Sequence, residues 1–425
     1  MATAATVEYR ARRRIALHIL PFLWLLYVVA FLDRVNVAYA ALEMSHDLQF
    51  SDRVFGFGAG IFFVGYVLLE IPGALIVERW SARKWMARIM VSWGIITVFV
   101  GFVHTSRQFY GVRFLLGIAE AGFFPGVIVY LTHWFCRRDL AKAVALFMAA
   151  LPLANVLGSP LAGVILRVHW YGLEGWRWLF ILEGIPAMIL GIVTFFYLTD
   201  RPSDAVWLPP EERDWIIGEL KREHKEKSTA RPYTRAQAQR VLLLTLIFFL
   251  GTTGYYGFNI WFPTILKRAS GFSVGTVTLL AALPYLAALF ATLLNAWHSD
   301  RTQERRWHAA ALLFVGSAAL ALLIVSETHI WIQLGFFTLL AICVHGYQPC
   351  FWALPTMTLG ESAAAASIGL INSLGNLGGF AGPYIVGYLV TKTGSFNLGL
   401  LWLMASLFGA GVLVLCLRGV TPQQA

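Results

Sequence analysis

The sequence predicts an all-α membrane protein with twelve transmembrane helices in two six-helix halves. Hydrophobic residues make up 58% of the 425 residues and charged residues only 13%, whereas a soluble domain carries about 25% charged residues. The apolar residues form long uncharged blocks, such as 279–294 and 309–325, and about 20 such residues cross a bilayer as a helix. An internal repeat, described below, divides the helices into two sets.

Twelve apolar blocks follow one another along the chain, and each one predicts a span. The first block follows a cluster of arginines that ends at Arg14, and no small-residue cleavage site closes it. It is therefore interpreted as a span and not as a cleavable signal. The predicted spans are 15–40, 54–77, 86–104, 108–133, 141–167, 178–198, 241–265, 274–297, 308–325, 329–352, 363–391 and 396–417.

A polar stretch of the chain, roughly 199–240, separates the sixth span from the seventh and is rich in proline and charge. We expect an N-terminal half at 1–199, a cytoplasmic connector at 200–240 and a C-terminal half at 241–425. Within the connector, 211–227 is expected to form a short surface helix, because Pro210 followed by two glutamates is a typical helix start.

The distribution of basic residues predicts the orientation. Of the 33 Lys and Arg residues, 24 lie at the termini and in the even-numbered loops, against 7 in the odd-numbered loops. This bias predicts that both termini and the even loops are cytoplasmic in a cell membrane, the bacterial inner membrane. The net charge of +10 is thereby explained by short clusters between spans, and no nucleic-acid partner is expected.

Three features recur at an offset of 222 to 224 residues. They are the acid-Arg-x-x-x-Arg sequences at 78–83 and 300–305, the prolines Pro160 and Pro383, and the prolines Pro125 and Pro349. A parallel repeat of two halves is an arrangement that secondary transporters use for alternating access. The repeat therefore favours a transporter.

Specific motifs lie in spans one, four and eleven and in the loop after span two. They are Phe31-Leu-Asp33-Arg34-Val-Asn36, the stretch from Arg113 to Gly126 with Glu120 and Pro125, the stretch from Ile371 to Pro383, and Glu78-Arg79-Trp-Ser-Ala-Arg83-Lys84. Over nearly the whole chain, these motifs resemble the major facilitator superfamily. The more specific resemblance is to the anion:cation symporter family, in its tartrate, phthalate and hydroxyphenylacetate permease branch. Ser81 stands where the superfamily loop usually has Gly, and Glu78 where it has Asp. The resemblance implies the major facilitator fold and uptake of organic anions together with protons, without a cofactor.

Asp33 and Arg34 are charged residues near the predicted outer end of span one. Because a charge inside the bilayer costs roughly 2.5–3.5 kcal/mol, each calls for a reason. A guanidinium can bind a carboxylate through two hydrogen bonds, and the resemblance implies that Arg34 lies at the substrate site. The alternative is that both side chains reach the outer membrane interface.

Arg113 and Glu120 are seven residues apart, so they share one face of span four at a separation of about 10 Å. Glu120 lies among small residues, where a carboxyl that gains and loses a proton is a plausible coupling group. The resemblance points to Asp33 and Glu120 as protonation sites. Our hypothesis is that Glu120 is the principal proton carrier and that Asp33 is coupled to Arg34. The alternative is a structural ion pair of Arg113 and Glu120 that joins helices.

Further polar side chains are candidates for substrate binding. Asn372 and Asn376 are four residues apart and share a face of span eleven, while Tyr66 and Asn155 lie in spans two and five. Each can instead bridge helices. Three more residues, Tyr255, Tyr256 and Asn259, can line the cavity from span seven, whereas Glu70 and Glu183 are expected to be structural.

The repeated loop sequences are expected to control the conformation without binding the solute. They would make charge contacts and helix-end contacts that close the cytoplasmic side. The predicted gating residues are Glu78, Arg79, Arg83, Asp300, Arg301 and Arg305.

The sequence thus predicts a proton-coupled importer of a small organic anion, such as tartrate, a sugar acid or an aromatic acid. An exporter, or a carrier of a neutral or other solute, is the alternative. A Gly-rich nucleotide loop is absent from the sequence, as are a His/Cys metal cluster and a Ser-His pairing at one membrane depth. Neither catalytic nor metal-binding residues are expected. The protein is not expected to be an enzyme, and nothing in it resembles a channel filter. We expect a monomer in the lipid bilayer, because a two-half transporter needs no partner.

Overall fold

The computed structural model describes residues 2–148, 150–225, 234–326, 329–359 and 361–417. In this part of the chain the regular structure is helical and contains no strand. The α-helices are α1 (Ala2–Asp47), α2 (Asp52–Arg79), α3 (Ala82–Val100), α4 (Ser106–Glu120), α5 (Phe123–Thr132), α6 (Arg137–Met148), α7 (Ala150–Ile165), α8 (Gly175–Tyr197), α9 (Pro210–Lys225), α10 (Arg235–Ser270), α11 (Val274–Thr302), α12 (Arg306–Val325), α13 (Ile330–Leu359), α14 (Glu361–Gly375), α15 (Gly378–Thr393) and α16 (Asn397–Cys416).

The twelve predicted spans are confirmed as an all-α membrane bundle. Ten helical stretches of the described chain are long and apolar enough to cross a membrane. The other two predicted spans are α3 and the pair α14–α15. Helix α3 carries three basic residues near its start. It packs closely along α8, where Gly94 faces Gly184. The pair α14–α15 packs against α2 and α10. Both predicted spans, α3 and α14–α15, therefore belong to the bundle.

Two ends of the bundle can be distinguished by their contacts. The connector end carries α9, which is held to α1 by ion pairs from Glu212 to Arg14 (3.1 Å) and Arg10 (3.9 Å). The opposite end carries Asp52 and Arg268. The predicted surface helix at 211–227 is confirmed as α9, although its last two residues lie outside the described part. The exact boundaries of the halves and the connector stay a prediction.

At the opposite end the two halves are in direct contact. Arg268 at the end of α10 donates two hydrogen bonds to Asp52 at the start of α2, at 3.0 and 2.5 Å. The Arg53 amide donates to Thr391 of α15 at 2.8 Å, and Ser159 of α7 donates to the Thr278 carbonyl of α11. These contacts close this end of the bundle.

Several helices continue beyond the apolar blocks that predicted them. The first extends from Ala2 to Asp47 where 15–40 was predicted, and α10 covers Arg235–Ser270 where 241–265 was predicted. Polar residues continue these helices beyond the apolar run, because hydropathy marks the membrane-crossing part and not the helix. Asp33 and Arg34 therefore lie fourteen and thirteen residues from the end of their helix, and their position near the outer end of the membrane-crossing part stays a prediction.

Spans four and eleven were predicted as continuous helices, and each is interrupted. The first break follows Glu120, where Gly122 adopts a left-handed backbone with φ of 84°. Four residues beyond Ala121, Pro125 has no N–H with which to bond the Ala121 carbonyl. The second break lies at Asn376 and Leu377. Span five comprises α6 and α7, which lie on either side of residue 149, outside the described part.

Candidate functional site

Four polar side chains from both halves lie at nearly the same depth in the bundle. Counted from the opposite end, Arg34 is thirteen residues into its helix, and Tyr66, Glu120 and Tyr256 are each fourteen residues in. At 1.5 Å per residue, all four lie about 20 Å from that end. They come from α1, α2, α4 and α10, so a site near the middle of the bundle is built by both halves.

Arg34 and Glu120 form an ion pair. The Glu120 carboxylate accepts a hydrogen bond from Nη2 of Arg34, and it is almost fully buried. The Arg34 side chain keeps 15% of its exposure, so its guanidinium borders a space that a solute can reach. Its Nε is buried and has no hydrogen-bond partner in the described structure.

Aromatic rings surround the Arg34 guanidinium. Its central carbon lies 5.2 Å from the ring centre of Phe31, 5.6 Å from that of Phe62 and 5.3 Å from that of Tyr66. From the second half, the Tyr256 hydroxyl interacts with the same guanidinium. Arginine combines ring stacking with two-pronged recognition of carboxylates, so this arrangement suits a planar carboxylate ligand.

Close packing between α2 and α4 brings Glu120 to this position. Gly65 lies against the Phe114 carbonyl, and Gly117 lies against the Phe62 carbonyl. A Cβ atom at either glycine would collide with the facing backbone, and small residues allow such close approach between membrane helices. The break after Glu120 then places its carboxylate at the end of α4, facing α1.

Arg113 is fully buried, with 1% exposure, and it contacts α2 instead of Glu120. It donates to the carbonyls of Gly58 and Ala59 at 3.4 Å each and lies over the ring of Phe62. Its Nη1 has no partner in the described structure. Glu120 thus pairs with Arg34 and not with Arg113; because this pair joins α1 to α4, a structural ion pair remains the alternative.

Asp33 points away from Arg34. It accepts hydrogen bonds from Thr97 of α3 at 2.5 Å and from Asn36 at 2.8 Å, and it is buried. Adjacent residues on an α-helix point about 100° apart, so the two side chains face different neighbours. In this conformation Asp33 makes no direct hydrogen bond to Arg34 among the described contacts, and the hypothesis that the two are coupled stays a prediction.

Glu70 and Asn372 join the two halves nearer the connector end. The Asn372 amide on α14 donates to Oε1 of Glu70 on α2, while Oε2 of Glu70 has no partner in the described structure. Asn376 is buried in the turn between α14 and α15, and its N–H bonds to the Asn372 carbonyl at 2.9 Å. Asn372 and Asn376 therefore stay one helical turn apart, although Asn376 lies in the break between α14 and α15.

Asn155 lies apart from the Arg34–Glu120 pair. It is buried in α7, and its amide donates to the Leu151 carbonyl of its own helix at 3.2 Å. Its Oδ1 has no partner among the residues that the structure describes. Asn259 likewise donates to Tyr255 of its own helix, at 2.7 Å. Of the residues proposed for span seven, Tyr256 is the one that reaches Arg34.

The predicted gating residues make contacts within their own halves. Arg83 lies 3.7 Å from Asp200, which also accepts a hydrogen bond from Ser81 at 2.7 Å. Arg305 pairs with Asp300 at 2.5 Å, and Arg301 lies over the ring of Trp297. The side chains of Glu78 and Arg79 lie outside the described part. In this conformation the described signature contacts do not bridge the halves.

Two features of the site were missing from the sequence prediction. The contact of Glu70 with Asn372 was not predicted, although a charged residue within a span was a signal that could have pointed to it. The role of Thr97 as a donor to Asp33 carries no sequence signal, because threonine is common in membrane helices. Both features depend on which helices are neighbours.

The twelve-helix bundle with a polar site near mid-depth defines the class of protein as a membrane transporter. The model of the Major Facilitator Superfamily matches residues 23–383 and 267–424, and the chain belongs to this superfamily. A relative from Agrobacterium vitis, described as a "Putative tartrate transporter", is 45% identical over 98% of this chain and 93% of its own. A "Quinolone resistance transporter" from Acinetobacter baumannii is 38% identical over 93% of this chain and 92% of its own.

Among solved structures, the inward-open xylose transporter XylE from E. coli is similar to this chain. It matches with a TM-score of 0.74 and 14% identity, over 96% of this chain and 98% of the other, and this likeness shows the fold alone. Membership of a transporter superfamily, with relatives named as transporters, also establishes that the chain is a transporter and not an enzyme.

Proposed function

We propose that this protein takes up a small organic anion together with protons by alternating access. The single observation that carries the proposal is the buried pair of Arg34 and Glu120. A guanidinium that borders the space between the halves offers the charge and the geometry that a carboxylate needs. Glu120 supplies a carboxylate that occupies the guanidinium when no substrate does.

Charge balance couples the proton to the anion. With Glu120 ionised, its pairing with Arg34 leaves the site neutral and the guanidinium occupied. Protonation of Glu120 removes this partner, and Arg34 is then a buried cation without a counterion, which is unfavourable. A substrate carboxylate restores neutrality, so the anion binds best when Glu120 carries a proton. Arg113 adds a second buried cation in the same N-terminal half of the protein.

The substrate class follows from the lining of the site. Two arginines disfavour a cation, and the partly exposed Arg34 guanidinium offers donors for carboxylate oxygens. Glu70, Asn372 and Asn376 supply groups for hydroxyls further toward the connector end. A small hydroxy acid or sugar acid fits such a lining, in agreement with the Agrobacterium vitis relative named for tartrate. Of the further candidates, Tyr66 contributes a ring beside Arg34, and Asn155 of α7 stays a proposed contact for the substrate.

The orientation proposed from the basic residues places the connector end in the cytoplasm of a bacterial inner membrane. The contacts between Asp52 and Arg268 then close the outer side. We propose that the structure is the inward-facing conformation and that the protein acts as a monomer. In the outward-facing conformation, the signature residues, Glu78 to Arg83 and Asp300 to Arg305, would meet across the halves.

Export is a second candidate, because one specific comparison favours it. The Acinetobacter baumannii relative is named for quinolone resistance, and it shares 38% identity with nearly the whole chain. The same fold can carry a solute in either direction, since direction depends on the gradients and not on the architecture.

Uptake by proteoliposomes tests the proposal. Purified protein is reconstituted and offered radiolabelled tartrate, sugar acids, phthalate, hydroxyphenylacetate and a quinolone, with and without an inward proton gradient. We expect one carboxylate to accumulate only with the gradient. Proton-driven loss of the quinolone from preloaded vesicles, without movement of any carboxylate, would instead establish export.

A further inference from the structure

Acidic and amide side chains form a stripe on α1 that faces α8. The stripe consists of Asp33, Asn36, Glu43 and Asp47, at spacings of three, seven and four residues, so all lie on one side of the helix. At the opposite end of the bundle, Asp47 accepts a hydrogen bond from Trp176 at 3.0 Å and lies 3.6 Å from Arg177. Two helices therefore enclose a polar strip inside the N-terminal half.

The strip on α1 is interrupted between Asn36 and Glu43, where this face carries the small Ala40. Glu183 of α8 supplies a polar side chain to this part of the strip. It is buried, with 7% exposure, and its carboxyl lies beside the Asn36 side chain. Two atoms here have no hydrogen-bond partner in the described structure: Oε2 of Glu183 and Oδ1 of Asn36. Both are acceptors when Glu183 is ionised, so neither can satisfy the other.

A proton on Glu183 resolves this mismatch. The carboxylic acid can donate to Oδ1 of Asn36, while the Asn36 amide continues to donate to Asp33 at 2.8 Å. Each unpartnered atom then takes part in a hydrogen bond, as buried polar groups normally do. The amide thus connects two carboxyl groups, Glu183 on one side and Asp33 on the other.

The charges around the strip also favour a bound proton. From α1, the titratable groups near Glu183 are Asp33 and Tyr39; from α3, Thr97 contributes a hydroxyl, and from α7, Ser159 contributes a hydroxyl to Tyr39. From α4, the charges of Arg113 and Glu120 act on Asp33 in opposite directions. Neither carboxyl has a cation within 4 Å among the described residues. Two neighbouring carboxylates buried with no cation in contact are strongly unfavourable, so such a pair holds a proton.

We propose that Glu183 and Asp33 form a proton-sharing pair bridged by Asn36, a second protonation site inside the N-terminal half and behind the Arg34–Glu120 pair. When Glu183 holds the proton, its O–H donates to Asn36. When Asp33 holds it, Glu183 is the carboxylate and accepts from the second N–H of Asn36. Between the two states one carboxyl loses its O–H bond and the other gains one; the Asn36 amide keeps both of its hydrogens, so the proton passes beside the amide and not through it.

This site deepens the proposed function, on which its role in coupling rests. Glu183 lies eight residues into α8 from the opposite end, or about 12 Å, and Asp33 lies about 21 Å deep. Glu43 lies between this pair and the bundle surface. A proton can therefore be held at Asp33 and Glu183 without passing between the halves, while the contacts of Asp52 with Arg268 keep that end closed.

Infrared spectroscopy of the reconstituted full-length protein at neutral pH tests the pair without any transport measurement. A protonated carboxyl has its own carbonyl stretching band, and we expect Glu183→Gln to lose one such band. The matched control is Glu174→Gln at the exposed start of the same helix, where the side chain is 54% exposed, and it should lose none. Because either carboxyl can hold the shared proton, Asp33→Asn is measured beside it, and unchanged bands in both variants would show that the pair holds no proton and would overturn the proposal.

Folding of the variant gives a second criterion. Glutamine has nearly the shape of a protonated glutamate, so Glu183→Gln should be recovered as folded protein to the same extent as Glu174→Gln. Failure of Glu183→Gln alone to fold would mean that the structure needs a negative charge there, against the proposal. In transport, we expect Glu183→Gln to keep solute counterflow but to shift the pH profile of proton-driven uptake. A wild type without proton-driven uptake would remove only the coupling role, since the infrared band is independent of it.

Discussion

Glu70 of α2 accepts a hydrogen bond from Asn372 of α14, and this bond joins the two halves of the protein nearer the connector end than the Arg34–Glu120 pair. The two residues are 302 positions apart in the sequence. Because alternating access separates the halves at one end and then at the other, a bond of this kind is present in only some of the conformations.

Replacing Asn372 by alanine should therefore shift the conformational equilibrium. The loss leaves a buried Glu70 oxygen without a donor, and an unsatisfied buried acceptor costs about 1–3 kcal/mol. We expect a change of roughly ten-fold or more in the populations of the inward-facing and outward-facing conformations. Distances between spin labels at the connector ends of the two halves measure this change.

The matched control is Asn295→Ala. Its amide donates to the Gly346 carbonyl at 2.9 Å, and both residues belong to the C-terminal half. This variant should lower thermal stability without changing the distance distribution. Equal shifts in both variants would mean that Asn372 acts on stability alone.

Arg34→Lys should weaken substrate binding although it preserves the positive charge. Lysine lacks the planar fork that binds a carboxylate at two points and lacks the stacking on Phe31, Phe62 and Tyr66. We expect KM for the transported acid to rise ten-fold or more, and Arg34→Ala to abolish uptake. The KM is measured in proteoliposomes at saturating proton gradient.

Arg53→Lys provides the comparison for that variant. Arg53 also lies over an aromatic ring, that of Tyr388, at 5.5 Å, but it is exposed at the opposite end of the bundle. Its replacement should leave KM unchanged. A normal KM in Arg34→Lys would contradict recognition of a carboxylate by the guanidinium fork.

Glu120→Gln should separate solute movement from proton movement. The amide cannot ionise, so Arg34 is permanently without its carboxylate partner and remains available to the anion. We expect exchange of labelled for unlabelled solute to continue, while accumulation driven by a proton gradient is lost. The control Glu219→Gln, which removes a carboxylate from an exposed ion pair with Arg222 on α9, should accumulate solute normally. Persistent proton-driven accumulation in Glu120→Gln would move the coupling role to another carboxyl.

The fold was predictable from the sequence because hydropathy, charge bias and the internal offset report on the bilayer directly. The twelve spans and the connector helix α9 all followed from these patterns. The helix breaks did not, because Gly122 and Pro125 are tolerated inside many membrane helices and interrupt the helix only where neighbours satisfy the freed groups. Helix lengths were also underestimated, since hydropathy does not detect the polar turns of α1 and α10.

The site was predictable in its members but not in its pairings. Arg34 and Glu120 were both candidates and are paired in the structure, whereas Asp33, which was expected to be coupled to Arg34, bonds to Thr97 and Asn36. The sequence offers Asp33, Glu70, Glu120 and Glu183 as acids within spans, and the choice among them depends on which helix faces α1. The 100° step between adjacent helical residues does indicate that Asp33 and Arg34 face different neighbours, but it does not identify them.

The ion pair of Asp52 and Arg268 leads to a final prediction about the opposite end of the bundle. The side chains are 20% and 48% exposed, and a partly exposed pair contributes at most about 1 kcal/mol. Charge reversal, Asp52→Arg or Arg268→Asp, replaces this attraction by repulsion between the halves. Each single variant should therefore increase the population that is open at this end by a few-fold, and the double reversal should restore the original balance.

Spin-label distances across the opposite end, measured at low and high ionic strength, check this prediction. Because salt screens partly exposed charges, high salt should reduce the difference between the single variants and the wild type. It should have little effect on the change caused by Asn372→Ala, whose hydrogen bond is buried. If the double reversal opened this end as far as the single variants do, the ion pair would not be the contact that closes it. Thr391 and Ser159, which bond across the halves without charge, would then hold this end closed.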